Sequence, residues 1–277
     1  VAVKSDAVDT AKAKLTAAQD TVKTTTDAVN KATDAVKSAT DALANVDTVT
    51  IVNKPLKLTS KQKEVLGVSV DELTFAEALA LDNKNSTNAT KGALRAAGIE
   101  VAQASSTNIR LADKNKIVNF DALTEEQAQE LALYNLQVVN AIRKQLGLPT
   151  LELNTGSMKA AQDQMDKYVA RNKNILTSGH LPGDYFGENG GPIALAKFGT
   201  SMTMYDVKQE IYNIVMTQAF ADAPSKWGHS NNIQKQVSDF GASFGIIAGE
   251  LYSINVFGIY TGTPITNPND PATLQAA

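Results

Sequence analysis

Cysteine is absent from all 277 residues. Disulfides, thiolate metal sites and a cysteine nucleophile are therefore excluded. Such a chain fits the cytosol, and equally fits exported proteins that do without disulfides. Histidine is nearly as scarce, with two copies, and aromatic residues make up only 6%, with a single tryptophan. An excess of basic charge is also missing: 26 Lys and Arg face 29 Asp and Glu, giving a net charge of -3. A nucleic-acid surface needs clustered Lys and Arg, so none is expected. No run of about 18 uncharged apolar residues occurs, and nothing reads as a membrane span. The sequence opens on Val1 and closes on Ala276-Ala277. It reads as a trimmed fragment, with any export signal or anchor expected outside it.

Residues 1–46 lack both glycine and proline. What they contain is a repeat. Val1, Val8, Leu15, Val22, Val29, Val36 and Leu43 recur every seventh position, and Ala11, Ala18, Thr25, Ala32, Ala39 and Val46 follow three residues later. That is an a/d seam, the pattern of a coiled coil. Asp20, Asp27, Asp34 and Asp41 share one outer position. Alanine at most d positions requires a closely approaching partner helix. The segment predicts a stalk of roughly 65–70 Å, at about 1.5 Å per residue. Its partner is either a second copy of the chain or a return helix. Asp270-Pro271 reads as a cap followed by proline at the first helical position. Residues 263–277 are accordingly expected to begin that return helix.

Residues 47–122 change composition and read as a connector or small subdomain. Val49-Thr50-Ile51-Val52 suggests a short strand, Thr59–Leu66 and Ser69–Leu81 short helices, and Asp82–Thr90 a loop. Lys91–Ala97 reads as a helix stopped by Gly98, and Asn115–Phe120 as a strand. No chemical motif occurs there.

From Leu123 the signals strengthen. Thr124 with Gln127 forms a capping-box pair opening a helix that Gly147 and Pro149 end. Further helices are expected over about 156–172 and 204–220, separated by a glycine-rich loop over 179–192. Asp239–Ala248 and Leu251–Tyr260 are β-rich runs joined at Gly249-Glu250, a hairpin pattern. The head over 123–262 is therefore expected to be α+β with an antiparallel sheet.

Both histidines sit in glycine-led polar contexts. One stands in Gly179-His180-Leu181-Pro182-Gly183, followed by Gly187-Glu188-Asn189; the other in Gly228-His229-Ser230-Asn231-Asn232-Ile233. The first helix carries Leu133-Tyr134-Asn135-Leu136 through Arg143, then Gly147-Leu148-Pro149-Thr150-Leu151. This ordered set, with the terminal hairpin, resembles the CAP superfamily of cysteine-rich secretory, antigen-five and pathogenesis-related proteins. The resemblance implies an α-β-α sandwich with a cleft lined by two His and two Glu. His180, Glu188 and His229 match three of these by motif. Glu210, 19 residues before His229, is the expected fourth, with Gln218 or Asp222 as alternatives. Stalk, cysteine-free head and returning tail together resemble the surface exclusion proteins of Gram-positive bacteria. That likeness implies an extracellular, wall-attached protein with a role in conjugation.

Imidazole exchanges protons near neutral pH and ligates metals. His180 and His229 are candidate ligands for a divalent ion such as zinc, and the tetrad a candidate acid–base pair. No serine beside either histidine argues for a triad. Glu188 has a plainer reading as a support for the surrounding loop, and Trp227 as a core anchor. Two function classes follow. One is a surface module that binds a cell-surface protein or wall component. The other is a hydrolase, most plausibly a peptidase, using His180, Glu188, Glu210 and His229.

Overall fold

The computed structural model describes residues 2–194 and 200–266. Two compact units divide the chain, Val1–Asn45 and Val46–Ala277. The first is one helix, α1 (Ala2–Leu43). Seven of its threonines turn their hydroxyls back onto the carbonyl four residues earlier. This satisfies those polar groups within the helix. Lys37 and Asp41 pair across one turn at 2.8 Å. Val8, Leu15, Val22, Val29 and Val36 stay 51–66% exposed. The seam therefore forms an exposed apolar stripe along the helix.

The second unit opens with β1 (Thr48–Thr50), β2 (Leu56–Lys57), α2 (Ser60–Leu66), β3 (Glu72–Leu73), α3 (Phe75–Lys84), α4 (Asn88–Ala104), β4 (Ser106–Asn108) and β5 (Ile117–Asn119). It continues with α5 (Glu125–Gln145), α6 (Thr155–Arg171), α7 (Ile175–Ser178), β6 (Gly187–Ala194), β7 (Ser201–Thr203), α8 (Met204–Phe220), α9 (Gly228–Ile233), β8 (Asp239–Ile247) and β9 (Glu250–Gly258). A three-stranded antiparallel sheet, ordered β6-β9-β8, forms the middle layer. Alternation along the strands splits it into two apolar faces. Phe240, Ala242, Phe244, Leu251 and Phe257 enter the large core shared with α5 and α8. Tyr252, Ile254 and Val256 pack with Ala161, Met165 and Tyr168 of α6. The result is an α-β-α sandwich, an α+β fold of the kind the sequence implies.

Glycines on β8 set the spacing of the α6 layer. A Cβ at Gly241 would lie 1.9 Å from the Ser157 carbonyl oxygen, and one at Gly245 would lie 2.9 Å from the Met165 sulfur. The bare strand face lets the helix approach the backbone.

Residues 47–122 do not stand apart as a connector. They belong to the same compact unit as the head. Ile51, Phe75, Leu79, Leu94, Val101 and Val118 join one core with Leu131, Ile142 and Ile211. β5 pairs with β7, which leads directly into α8. Three local expectations change here. Helix α3 starts at a Thr74–Glu77 capping box rather than near Ser69. The expected loop 82–90 is mostly helix, interrupted only around the Thr87 cap of α4. Helix α4 passes through Gly98 without stopping. A Cβ there would sit 2.0 Å from the Phe220 carbonyl oxygen, so glycine serves a close crossing of α4 and α8.

A buried ion cluster ties early chain to late chain. Lys208, fully buried on α8, donates to Asp47 at 2.6 Å, Asp113 at 2.5 Å and Glu130 at 2.8 Å. Arg110 bonds Asp113 at 2.9 Å and also reaches Glu130. Lys116 donates to Glu130 at 2.9 Å. Burial raises the Glu130 carboxyl, but bonds from Lys208 and Lys116 and the nearby positive charges lower it to about 2.

The sequence expectation of a return helix over 263–277 falls largely outside the described residues, which end at 266. Among the described residues, no helix is long and apolar enough to cross a membrane.

Candidate functional site

Three pieces of the head converge. The loop after α7 carries His180, strand β6 carries Glu188, and α9 carries His229. Residues 187–192, expected as loop, pair with β9 from Gly187↔Phe257 onward. Glycines are tolerated in this edge strand because neighbours crowd it. A Cβ at Gly187 would fall 2.6 Å from the Asn232 side-chain oxygen. The pairing places Glu188 in a strand, with its carboxylate buried beneath the loop.

His180 donates from Nδ1 to Glu188 Oε1 at 2.6 Å. A carboxylate accepts, so the tautomer assigned to His180 has its proton on the ring nitrogen that faces Glu188. Glu188 also accepts from the Tyr168 hydroxyl at Oε1, 2.6 Å, and from Gln164 Nε2 at Oε2, 2.7 Å. Its side chain is 2% exposed, whereas His180 is 43% exposed. Burial, with the hydrogen bond to Glu188, pushes the Tyr168 hydroxyl up to about 12. Burial and the charge of Glu188 also push Tyr185 upward.

His229 is held in the same manner by another residue. Its Nδ1 donates to Asp222 Oδ1 at 2.8 Å, and the backbone N–H groups of His229 and Ser230 donate to Asp222 Oδ2 at 2.8 and 3.2 Å. Asp222 thus holds the start of α9 and its histidine together. The Asp222–Trp227 turn includes two left-handed residues in succession, Lys226 at φ 52° and Trp227 at φ 63°. Such conformations cost on the order of 1–2 kcal/mol each for non-glycine residues. Packing holds them: Trp227 is buried against Phe75 of α3, ring centroids 5.7 Å apart, and Phe75 meets Phe220 edge to face at 4.9 Å. Trp227 is a core anchor. The early segment 47–122 thereby supports the turn that delivers His229. Arg143, buried on α5, donates to the Ile233 and Lys235 carbonyls at 2.6 and 3.0 Å and fixes the far end of α9.

The two imidazoles lie 6.3 Å apart, centroid to centroid, tilted by 55°. Both line a cleft of about 540 Å³, with Leu176, Tyr185, Phe186, Glu188, Ser225 and Asn232 among its walls. Asn232 donates to the Glu188 carbonyl at 2.9 Å and to Asn189 at 3.0 Å, joining β6 to α9.

Glu210 is not the fourth member. It makes no hydrogen bond or ion pair among the described residues, and Asp222 stands at His229. Glu210 precedes the end of α8 by ten residues, about 15 Å of helix. The second histidine instead faces the turn that follows α8. Gln218 is buried beneath Gly191 of β6. Gln164 and Tyr168 were not singled out as site residues from sequence. Their spacing of four on an otherwise apolar helix face is the signal that marks them.

Each carboxylate takes three internal hydrogen-bonding contacts, which hold it against its ring. Both rings line the cleft, and among the described residues neither Nε2 has a hydrogen-bond partner. Among the described residues, no group of three or more His, Asp and Glu is arranged to hold a metal ion. A catalytic zinc site takes three protein ligands as a rule. Two imidazoles, with both carboxylates engaged elsewhere, fall short of that donor set.

Among solved structures, the CAP domain of Enterococcal PrgA superposes with a TM-score of 0.50, at 17% sequence identity, over 84% of this chain and 98% of that chain. This chain's second unit has the CAP fold. The matched share of the chain is larger than residues 123–262 alone supply. No family model matches the sequence, and no curated protein does. The likeness to that domain is one of fold.

Proposed function

We propose that this chain is a stalked cell-surface interaction protein whose CAP head docks a surface protein or wall component of a Gram-positive cell, in the manner of surface exclusion proteins acting during conjugation. The observation that carries this reading is the join of a CAP head to a 42-residue helix with an exposed heptad seam. A heptad pattern of this kind is that of a coiled-coil stalk.

The hydrolase reading draws on one specific feature, the pair of oriented rings. Each His with its buried carboxylate is built like a general base. The ring would take a proton at Nε2, while Glu188 or Asp222 stabilises the charge that forms. A peptidase of this kind would activate water without a protein nucleophile.

A double His180→Ala/His229→Ala variant separates the two readings. In a donor–recipient mating assay, the interaction reading expects exclusion to remain within about twofold of wild type. Exclusion lost together with cleavage of a co-expressed surface protein, in a head that still melts cooperatively, would favour the hydrolase instead.

The seam of α1 requires a second helix, and we assign it to a second copy of the chain. Sedimentation velocity should show mass rising with concentration from 29.4 kDa toward the dimer. A monomer at every concentration would pass the seam to a helix of the same polypeptide.

A further inference from the structure

We infer that Tyr168 and Gln164 are positioning residues, which clamp Glu188 and the His180 loop at once so that His180 keeps its proton on Nδ1 and turns an Nε2 lone pair to the cleft. This rests on the cleft as the working site of the head only for its biological consequence.

The two side chains stand four residues apart on α6, on one face of the helix. Tyr168 donates to Glu188 Oε1 at 2.6 Å and accepts from the Leu181 backbone N–H at 2.9 Å. Gln164 uses one amide hydrogen on Glu188 Oε2 at 2.7 Å and the other on the Leu181 carbonyl at 2.7 Å. The orientation of that amide is set further by Lys167, which donates to its oxygen at 3.2 Å. Both backbone groups of Leu181 are thus held by the two side chains that hold Glu188. Leu181 directly follows His180. One rigid helix therefore fixes the carboxylate and the ring that donates to it. Glu188 Oε1 accepts from both Tyr168 and His180, so a proton on the wrong ring nitrogen would strand it against an unprotonated Nδ1. A buried carboxylate facing a bare acceptor is strongly disfavoured.

A consequence for ligand chemistry follows. With Asp222 doing the same for His229, the neutral cleft presents two acceptors and no free carboxylate. It suits a group with N–H or O–H donors, such as a polypeptide backbone or a water held for reaction.

Two histidines in the whole chain make the test direct. In protein labelled with ¹⁵N-histidine, long-range ¹H–¹⁵N correlation spectra at a pH where both rings are neutral should show the Nδ1–H tautomer at each. Tyr168→Phe should raise the minor tautomer of His180 about tenfold, the scale of losing a charge-assisted hydrogen bond. His229 should keep its pattern and report that the head is folded. Gln164→Leu should act in the same direction, and it serves if Tyr168→Phe does not fold. An Nε2–H tautomer at His180 in the wild-type protein overturns the inference. So does a wild-type pattern in both variants. Neither outcome depends on whether the cleft binds or cleaves, so the mating assay can fail while this result stands.

Discussion

Lys208→Met is expected to lower the free energy of unfolding by about 3–5 kcal/mol, the usual cost of removing one partner from a buried ion pair. Urea or thermal denaturation followed by circular dichroism would measure it. Lys208 holds three carboxylates from distant parts of the chain, Asp47, Asp113 and Glu130. Without its ammonium those groups repel one another, and Asp47 loses its ion pair while keeping the Arg110 backbone N–H at 3.0 Å. Methionine keeps most of the side-chain volume, so the loss isolates charge rather than packing. A change below about 1 kcal/mol, the range of exposed pairs, would mean that water reaches the cluster.

The same cluster predicts a pH dependence. Folding lowers the Glu130 carboxyl from 4.5 to about 2. A depressed carboxylate contributes stability that is fully present above its unfolded value and is lost as pH falls through its folded value. Wild-type stability should therefore decline from about pH 4.5 toward pH 2. Lys208→Met should show a shallower decline across that window, because the cation that binds Glu130 most directly is gone.

Gly98→Ala and Gly92→Ala should move stability in opposite directions, although both lie in α4. Alanine in place of an exposed helical glycine gains up to about 1 kcal/mol. At Gly92 nothing lies within 4 Å of the added Cβ, so the gain should appear as a higher melting temperature. At Gly98 the Cβ would meet the Phe220 carbonyl oxygen at 2.0 Å. That obstacle is backbone and cannot rotate away, so the two helices must separate. Overpacking of this kind costs about 1–3 kcal/mol, enough to reverse the propensity gain. The shift should extend beyond stability. Phe220 meets Phe75 edge to face, and Phe75 packs on Trp227, two residues before His229. Equal melting temperatures for the two variants would sink this account.

Much of the head was legible because local signals agreed with tertiary demands. The Thr124–Gln127 box opens α5 as read, and its bonds are formed at 3.2 and 3.4 Å. The hairpin at Gly249 forms with left-handed Ala248 and Gly249 at its tip. His180, Glu188 and His229 line one cleft, as their motifs imply. The misreadings share a cause. Glycine normally ends helices and fills loops. At Gly98 and along Gly187-Glu188-Asn189-Gly190-Gly191, however, it permits close approach inside regular elements. Glu210 was chosen by sequence spacing, and spacing cannot tell which turn of α8 meets α9.

The sequence by itself determined the heptad helix, the α+β class, the absence of thiol chemistry and the two candidate ring positions. These are properties of short windows, where periodicity, caps and composition act locally. Only the tertiary structure decided which groups meet across long separations. It brought Asp47 to Lys208, Phe75 to Trp227, and Tyr168 and Gln164 to Glu188, and it put Asp222 where Glu210 was expected. Burial makes those choices, because a charged or polar group taken out of water must find a partner wherever the fold provides one.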